Sequence, residues 1–140
     1  EVTHAHIEGR AGAIAVAAAA SFATNRPHPT GNDFLAAVIP FVPESETKSR
    51  LELAIQIPPD SLIDAMRRLG TGEKVSAQDT VPFCIWSAAY HLDNFESALW
   101  WTVKGLGDCD TTCAIVGGIV ALSAPEIPAL WLQRREPLNS

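Results

Sequence analysis

Residues 105–118 read GLGDCDTTCAIVGG, and this stretch predicts how the chain is organised. A Gly-x-Gly turn leads into Asp108, Asp110 and Thr111, and a segment of small and apolar residues follows at once. The pattern predicts that a loop becomes a helix here, because the free N–H groups and the positive dipole end of a helix start favour acidic residues. One carboxylate is enough to cap a helix, so the second one requires a further explanation.

Asp108, Asp110 and Thr111 together predict a site for a hard divalent cation. Magnesium and manganese bind several oxygens from carboxylates, hydroxyls and water, whereas zinc prefers nitrogen and sulfur. At a loop-to-helix turn, all three side chains can point toward one position. The alternative is that Asp110 only caps the helix and that Asp108 is a solvated loop acid.

Three ligands from one segment cannot complete the coordination of such an ion, so we expect a second acidic motif. The other aspartates considered for it have positions typical of helix caps or helix faces: Asp60, Asp64, Asp79 and Asp93. The chain also begins within what is predicted to be a functional loop, directly before His4. Both features lead us to expect that the chain is a fragment of a longer protein.

A second candidate cluster, residues 3–8 (THAHIE), precedes an alanine-rich helix. His4 and His6 are able to bind a metal ion or to hydrogen-bond a polar ligand. Glu8 lies near the helix start, where a capping carboxylate is the alternative to a ligand. The pattern alone leaves both roles open for each of these side chains.

Apolar residues recur at helical spacing through most of the chain and no segment alternates as a strand does, which predicts an all-α fold. The alanine-rich first helix is apolar on all sides and is expected at the centre of the domain. Asp93 is expected to cap one helix, and Pro82 to lie in the first turn of another. A further helix is expected between an Asp60 or Ser61 cap and Gly70. The remaining predicted helices span residues 8–24, 34–42, 44–57, 79–90, 94–103, 110–123 and 130–138.

Composition and charge limit the classes of function. The chain has 140 residues, of which 47% are hydrophobic, as expected for one globular domain. Its net charge of −6, without a basic stripe, argues against a nucleic-acid partner. The apolar run at residues 11–23 is too short to span a membrane. Cys84, Cys109 and Cys113 lack the spacing of a zinc site or a disulfide framework, which predicts reduced, unreactive thiols in a cytoplasmic protein.

Several blocks, in this order along the chain, resemble the ADP-ribosylglycohydrolase family, which includes the dinitrogenase-reductase-activating glycohydrolase. The most specific is GDCDT at residues 107–111, which is similar to the family's G-D-x-D-T motif, with Cys109 where threonine is usual. Residues 3–8 look like its T-H-x-H-x-E stretch, with Ala5 where proline is common. The other similar segments are residues 81–86 (VPFCIW), 95–99 (FESAL), 114–118 (AIVGG) and 127–131 (IPALW). The resemblance covers nearly the whole chain.

The resemblance implies a compact multi-helix fold with two Mg²⁺ or Mn²⁺ ions at its centre. The implied activity is removal of ADP-ribose from modified protein side chains or from small-molecule ADP-ribosyl substrates. By this analogy Asp108, Asp110 and Thr111 are metal ligands, the two aspartates acting in catalysis through the metals, and His4 lies beside the bound ADP-ribose.

The resemblance also implies that residues 1–140 are the C-terminal part of a single domain. Family members carry an earlier acidic motif and a Gly-rich ADP-ribose loop ahead of the block that corresponds to residues 3–8. An N-terminal half, in the same chain or as a separate chain, is therefore an expected partner, and the 140 residues alone are expected to be inactive. The competing hypothesis is a non-catalytic module that binds ADP-ribose or another partner without hydrolysis.

Overall fold

The computed structural model of the protein describes residues 6–25 and 27–137. This part of the chain contains helices and no strand, so the predicted all-α fold is confirmed. None of the helices within these ranges has the length and apolarity that crossing a membrane requires. A single 3-10 turn, Ile39–Phe41, follows the second helix. The eight α-helices of the described part are α1 (Ile7–Thr24), α2 (Gly31–Val38), α3 (Glu46–Ala54), α4 (Leu62–Leu69), α5 (Ala77–Ala89), α6 (Phe95–Val103), α7 (Cys109–Val120) and α8 (Ala129–Arg134).

Helix α5 is the centre of the bundle. Its residues 79–89 are all buried, and it packs against α1, α2, α3, α4, α6 and α7. The prediction that the alanine-rich α1 occupies the centre is therefore wrong. Helix α1 buries a stripe of alanines four residues apart and leaves Ile14 38% exposed on another face. Residues four apart lie on one face of a helix, so the buried alanines show that α1 packs through that face. Apolar residues on its other face do not by themselves place a helix at the centre.

Pro82 lies in the second turn of α5, because the helix begins at Ala77 and not at Asp79 as predicted. Proline has no N–H to donate to the carbonyl four residues earlier, which belongs to Gln78. The side chain of Arg50 in α3 supplies the missing donor, since its Nη1 lies 3.0 Å from the Gln78 carbonyl oxygen. The helix therefore tolerates an interior proline without leaving that carbonyl unpaired.

The start of α6 differs from the prediction by one residue. Asn94, and not Asp93, is the N-cap: its side-chain oxygen accepts a hydrogen bond from the Ser97 N–H at 2.8 Å. Asp93 instead faces the His28 ring, with 3.3 Å between Oδ1 and Nε2. Capping requires a side-chain oxygen that reaches the N–H three residues later, and the extended backbone of Asn94 (φ −142°, ψ 97°) allows this.

The starts of α1, α3, α5 and α7 lie near one another at one end of the bundle. Glu8 of α1 accepts hydrogen bonds from N–H groups in the first turn of α3. A Cβ placed on Gly12 of α1 would lie 2.9 Å from the Cβ of Ala77, the first residue of α5. A Cβ placed on Gly72, in the loop before α5, would lie 2.9 Å from the Cβ of Asp108 at the start of α7. Because helix starts carry partial positive charge, this end of the bundle favours carboxylates.

Exchanging Ser87 for alanine should raise the free energy of unfolding by about 0.5–1 kcal/mol. The Ser87 hydroxyl is fully buried in α5 and has no hydrogen-bond partner among residues 6–25 and 27–137, so the change removes an unsatisfied polar group. Ser123 is the matched control, because it is equally buried but donates to the Leu92 carbonyl oxygen at 2.7 Å. Ser123→Ala should therefore cost about 1 kcal/mol. Urea denaturation of both variants checks the opposite signs, and a destabilised Ser87→Ala protein would contradict this account.

Candidate metal centre

Helix α7 begins at Cys109, and Asp108 is its N-cap. The Asp108 Oδ1 accepts a hydrogen bond from the Thr111 N–H at 3.2 Å. The alternative in which Asp110 caps the helix and Asp108 is a solvated loop acid is therefore wrong about which aspartate is the cap. Asp110 lies in the first turn of α7 and is exposed, so its carboxylate is not needed to begin the helix.

Asp108, Asp110 and Thr111 all lie in the cap and first turn of this helix. Interactions with the Thr111 side chain, the Asp110 side chain and the Thr111 N–H lower the pKa of Asp108 below its usual value and outweigh the effect of burial. Asp108 is thus a carboxylate near neutral pH, next to a second carboxyl group and a hydroxyl. The three sequence-predicted ligands thus lie together in the cap and first turn of α7, where the Thr111 N–H donates to the Asp108 Oδ1 at 3.2 Å.

These side chains have the chemistry that a hard cation requires. Two carboxylates and a hydroxyl offer only oxygen atoms, which suit Mg²⁺ or Mn²⁺. The soft thiol of Cys109, between the two aspartates, is turned back to the preceding turn, where its Sγ lies 3.2 Å from the Leu106 carbonyl oxygen. Residues 6–25 and 27–137 contain no group of three or more His, Cys, Asp or Glu side chains placed to hold a metal together. The described part of the chain therefore offers a fitting but partial set of ligands.

The loop of residues 70–75 packs against the turn that contains Asp108. The Thr71 carbonyl oxygen accepts a hydrogen bond from the Asp108 N–H at 3.0 Å. A Cβ placed on Gly107 would lie 2.2 Å from that same oxygen, so only glycine allows the two loops to approach this closely. Gly72 has φ +89° and packs against the Asp108 Cβ. The contact with Asp108 is made by main-chain atoms of Thr71 and Gly72, so no side chain in the sequence indicates it.

Two exposed apolar residues flank the candidate centre in left-handed backbone conformations. Val75 has φ +51° and is 87% exposed; Leu106 has φ +61° and is 70% exposed. Positive φ is uncommon for residues other than glycine and most unusual for a β-branched side chain such as valine. Both residues lie in the loops that meet at Asp108, so the strained backbone of the described chain is concentrated beside the predicted ligands.

The second candidate cluster has a structural role in its described residues, while His4 lies outside them. His6 is the N-cap of α1, and its Nδ1 accepts a hydrogen bond from the Glu8 N–H at 3.3 Å. The Glu8 carboxylate is buried and accepts three hydrogen bonds: from the Glu46 N–H at 2.8 Å, from the Thr47 N–H at 2.9 Å and from the Thr47 hydroxyl at 2.8 Å. Of the two roles left open for Glu8, the structure shows capping, but of α3 and not of its own helix.

Five concavities of the described surface lie away from the Asp108 turn. They have volumes of about 330, 580, 410, 560 and 370 Å³, and none of the five is lined by Asp108, Asp110 or Thr111. Asp110 and Thr111 are exposed at the start of α7. Within residues 6–25 and 27–137, the predicted ligands thus lie on an open face of the bundle.

The chain as a whole is similar to one known protein family. The family model described as ADP-ribosylglycohydrolase matches residues 1–139. No curated protein and no solved structure matches the chain. The family match spans residues 3–8, the helical bundle and the Asp108 turn alike, so it does not rest on one short motif. The chain belongs to the ADP-ribosylglycohydrolase family.

Proposed function

We propose that the protein hydrolyses the glycosidic bond between ADP-ribose and a modified protein side chain or a related small molecule. Asp108, Asp110 and Thr111 would hold the Mg²⁺ or Mn²⁺ ions, two in number, on which the reaction depends. Family membership supports the class of reaction. The proposed site rests on the placement of Asp108, Asp110 and Thr111 in the cap and first turn of α7, with the Thr111 N–H donating to the Asp108 Oδ1 at 3.2 Å.

Each of these side chains would contribute a defined part. When bound, such cations polarise ribose hydroxyls and a water molecule as the bond breaks through an oxocarbenium-like transition state. Asp108 is oriented by the Thr111 N–H and is ionised at neutral pH. Asp110 is exposed, and the positive end of the α7 dipole favours its negative charge. Thr111 adds a neutral oxygen, which suits a hard cation.

The proposed site also needs groups beyond α7. Octahedral coordination calls for more oxygens than one segment supplies. We infer that the N-terminal half of the fold, in the same chain or as a separate chain, contributes a facing acidic motif and the carboxylate that acts as acid or base. His4 beside the bound ADP-ribose stays part of this proposal.

Removing the Asp110 carboxylate should weaken cation binding without weakening the fold. In Asp110→Asn, the Kd for Mn²⁺ should rise by at least about tenfold, because one charged ligand is lost. Asp33→Asn is the matched control, since Asp33 is an exposed acid in the first turn of α2 and experiences the same helix dipole. Isothermal titration with Mn²⁺ measures both. Equal Kd values for the two variants would argue against α7 as the metal site.

The activity itself is tested on the complete protein. Release of free ADP-ribose from ADP-ribosyl-arginine and ADP-ribosyl-serine peptides, with and without Mg²⁺, identifies the linkage and the metal dependence. Asp110→Ala should lower kcat/KM by at least about 100-fold, because metal-assisted charge stabilisation is worth several kcal/mol. Undiminished turnover in this variant would remove the assignment.

A second candidate function, a non-catalytic module that binds ADP-ribose or a helical partner, is supported by a different surface. Ile14 and Phe22 of α1 and Phe41 of the 3-10 turn line an apolar concavity of about 370 Å³. Phe41 is 60% exposed there, as expected for a face that a partner covers. Binding of ADP-ribose without release from any substrate, by a complete protein that is indifferent to Asp110→Ala, would favour this function over hydrolysis.

A further inference from the structure

We propose that Arg50 and Asp79 are positioning residues for the metal centre: they hold the loop of residues 70–75, and that loop holds Asp108. This inference rests on the proposed function for its consequence in metal binding. The geometry that carries it can be tested separately. Neither residue belongs to the segment that carries the predicted ligands.

Asp79 ties the loop to the central helix. It lies in the first turn of α5, is 3% exposed, and accepts a hydrogen bond from the Lys74 N–H at its Oδ2 (3.0 Å). Its carbonyl oxygen also accepts from the Gly72 N–H at 3.0 Å. A Cβ placed on Gly70 would lie 2.5 Å from the Asp79 Oδ1, so the loop is packed directly on this carboxylate. One buried aspartate therefore holds the loop by hydrogen bonds at Gly72 and Lys74.

Arg50 completes the attachment from α3. Its Nη1 lies 3.0 Å from the Gln78 carbonyl oxygen, 3.3 Å from that of Leu69 and 3.8 Å from the Asp79 Oδ1. These acceptors belong to the last residue of α4 and the first turn of α5, which are the two helix ends that the loop connects. The two N–H bonds of Nη1 can serve the two carbonyl oxygens, with Asp79 as an ion-pair partner at 3.8 Å, and a lysine ammonium cannot reproduce this planar geometry.

The held loop contacts the predicted ligand at two places. The Thr71 carbonyl oxygen accepts from the Asp108 N–H, and Gly72 touches the Asp108 Cβ. A loop that moved would therefore move the N-cap of α7 and the oxygen that receives the Thr111 N–H. Positioning groups of this kind, one step removed from a metal, tune its affinity.

The hydrogen bonds of Arg50 also connect α3 to the start of α1. The Arg50 Nη2 donates to the Glu46 Oε1 at 2.6 Å, and the Glu46 N–H donates to the Glu8 carboxylate. One connected set of contacts thus joins Glu8 and Asp108, which belong to two of the segments that carry the family resemblance and are 100 positions apart in the sequence. Helix α3, which carries neither motif, is the link between them.

The test compares Asp79→Asn and Arg50→Lys with Asp64→Asn and Arg68→Lys. Asp64 and Arg68 form an ion pair (3.1 Å) on the nearby α4 surface, so their variants make the same chemical changes, loss of a carboxylate charge and exchange of a guanidinium for an ammonium, outside the loop. Amide hydrogen exchange is followed at Asp108 and Thr111, with the buried Ile85 of α5 as the reporter of overall stability. Mn²⁺ affinity of the same proteins is measured by titration.

In the Asp79 and Arg50 variants we expect exchange at Asp108 and Thr111 to rise about tenfold more than at Ile85, and the Kd for Mn²⁺ to rise about tenfold, with no such change in the controls. A purely structural role would speed exchange at all three amides alike, and that result would overturn the proposal. Selective exchange at the α7 start in a protein that binds no Mn²⁺ would uphold the positioning role and count against the proposed function instead.

Discussion

Replacing Gly70 with alanine should lower the free energy of unfolding by about 3–5 kcal/mol. Gly70 has φ +98° and ψ −178°, a conformation that only glycine adopts without strain. A Cβ at this position would lie 2.3 Å from the Asp79 carbonyl oxygen and 2.5 Å from the Asp79 Oδ1. Neither atom can withdraw, because one belongs to the backbone of the central helix and the other is a buried carboxylate oxygen. The free-energy cost of the backbone strain and that of the steric overlap therefore add.

Gly118→Ala is the matched control with the opposite expected sign. Gly118 lies within α7, and a Cβ added there would meet no atom within 4 Å. Since alanine favours the helix over glycine, this variant should gain about 0.5–1 kcal/mol. Urea denaturation with a shared m-value measures both. A Gly70→Ala protein that lost less than about 1 kcal/mol would show that the loop of residues 70–75 is not packed as described, since overlap of this kind ordinarily costs more.

The features that depend on neighbouring residues are the ones that the sequence predicts well. Helical spacing of apolar residues and capping side chains are local, and they are enough to establish an all-α fold and most of its helices. The errors at helix starts are of one to three residues, the largest being at α2, which begins at Gly31 and not at residue 34. They arise at positions such as Asp93 and Asn94, where adjacent residues are both able to cap and only the backbone conformation decides between them.

The location of the central helix was not predictable from apolar content. Helix α5 contains Asp79, Thr80 and Ser87 and is nevertheless enclosed, whereas the alanine-rich α1 is open on one side. Burial follows from how many neighbours surround a helix. The Lys74 N–H offsets the burial of Asp79, whereas the Ser87 hydroxyl has no partner within residues 6–25 and 27–137 and is expected to lower stability.

The candidate site also combines residues that the sequence reveals with contacts that it does not. Asp108, Asp110 and Thr111 are visible in the sequence because they are contiguous and unusual in number. The packing of the loop of residues 70–75 against Asp108 was not predictable. Thr71 and Gly72 make this contact through main-chain atoms, and they lie more than thirty positions away in the sequence. The two glycines flanking Thr71 were the only available signal, and a pair of glycines is equally typical of any turn.

Replacing Glu8 with glutamine should destabilise the protein by about 3 kcal/mol. The carboxylate accepts hydrogen bonds from the Glu46 N–H, the Thr47 N–H and the Thr47 hydroxyl, and a glutamine amide offers one acceptor oxygen in place of two. At least one buried donor at the start of α3 would then face an NH₂ group, and the favourable charge at the helix dipole would be lost. Glu52→Gln is the control, because Glu52 is an exposed acid on α3, the helix whose start Glu8 caps. This variant should change the free energy of unfolding by less than about 0.5 kcal/mol.

The pH dependence of this difference identifies its cause. Burial alone would raise the pKa of Glu8, but the hydrogen bonds from Glu46 and Thr47 outweigh it and leave the pKa below the usual 4.5. A carboxylate whose pKa is lowered by folding adds stability that is fully present above its unfolded-state pKa and is lost as the pH falls through the folded-state pKa. The gap in unfolding free energy between wild type and Glu8→Gln should therefore stay constant from pH 7 to about 5 and shrink below about 4.5. Urea denaturation at stepped pH measures the gap. A gap that persisted undiminished to pH 3 would mean that the negative charge of Glu8 is not what stabilises the start of α3.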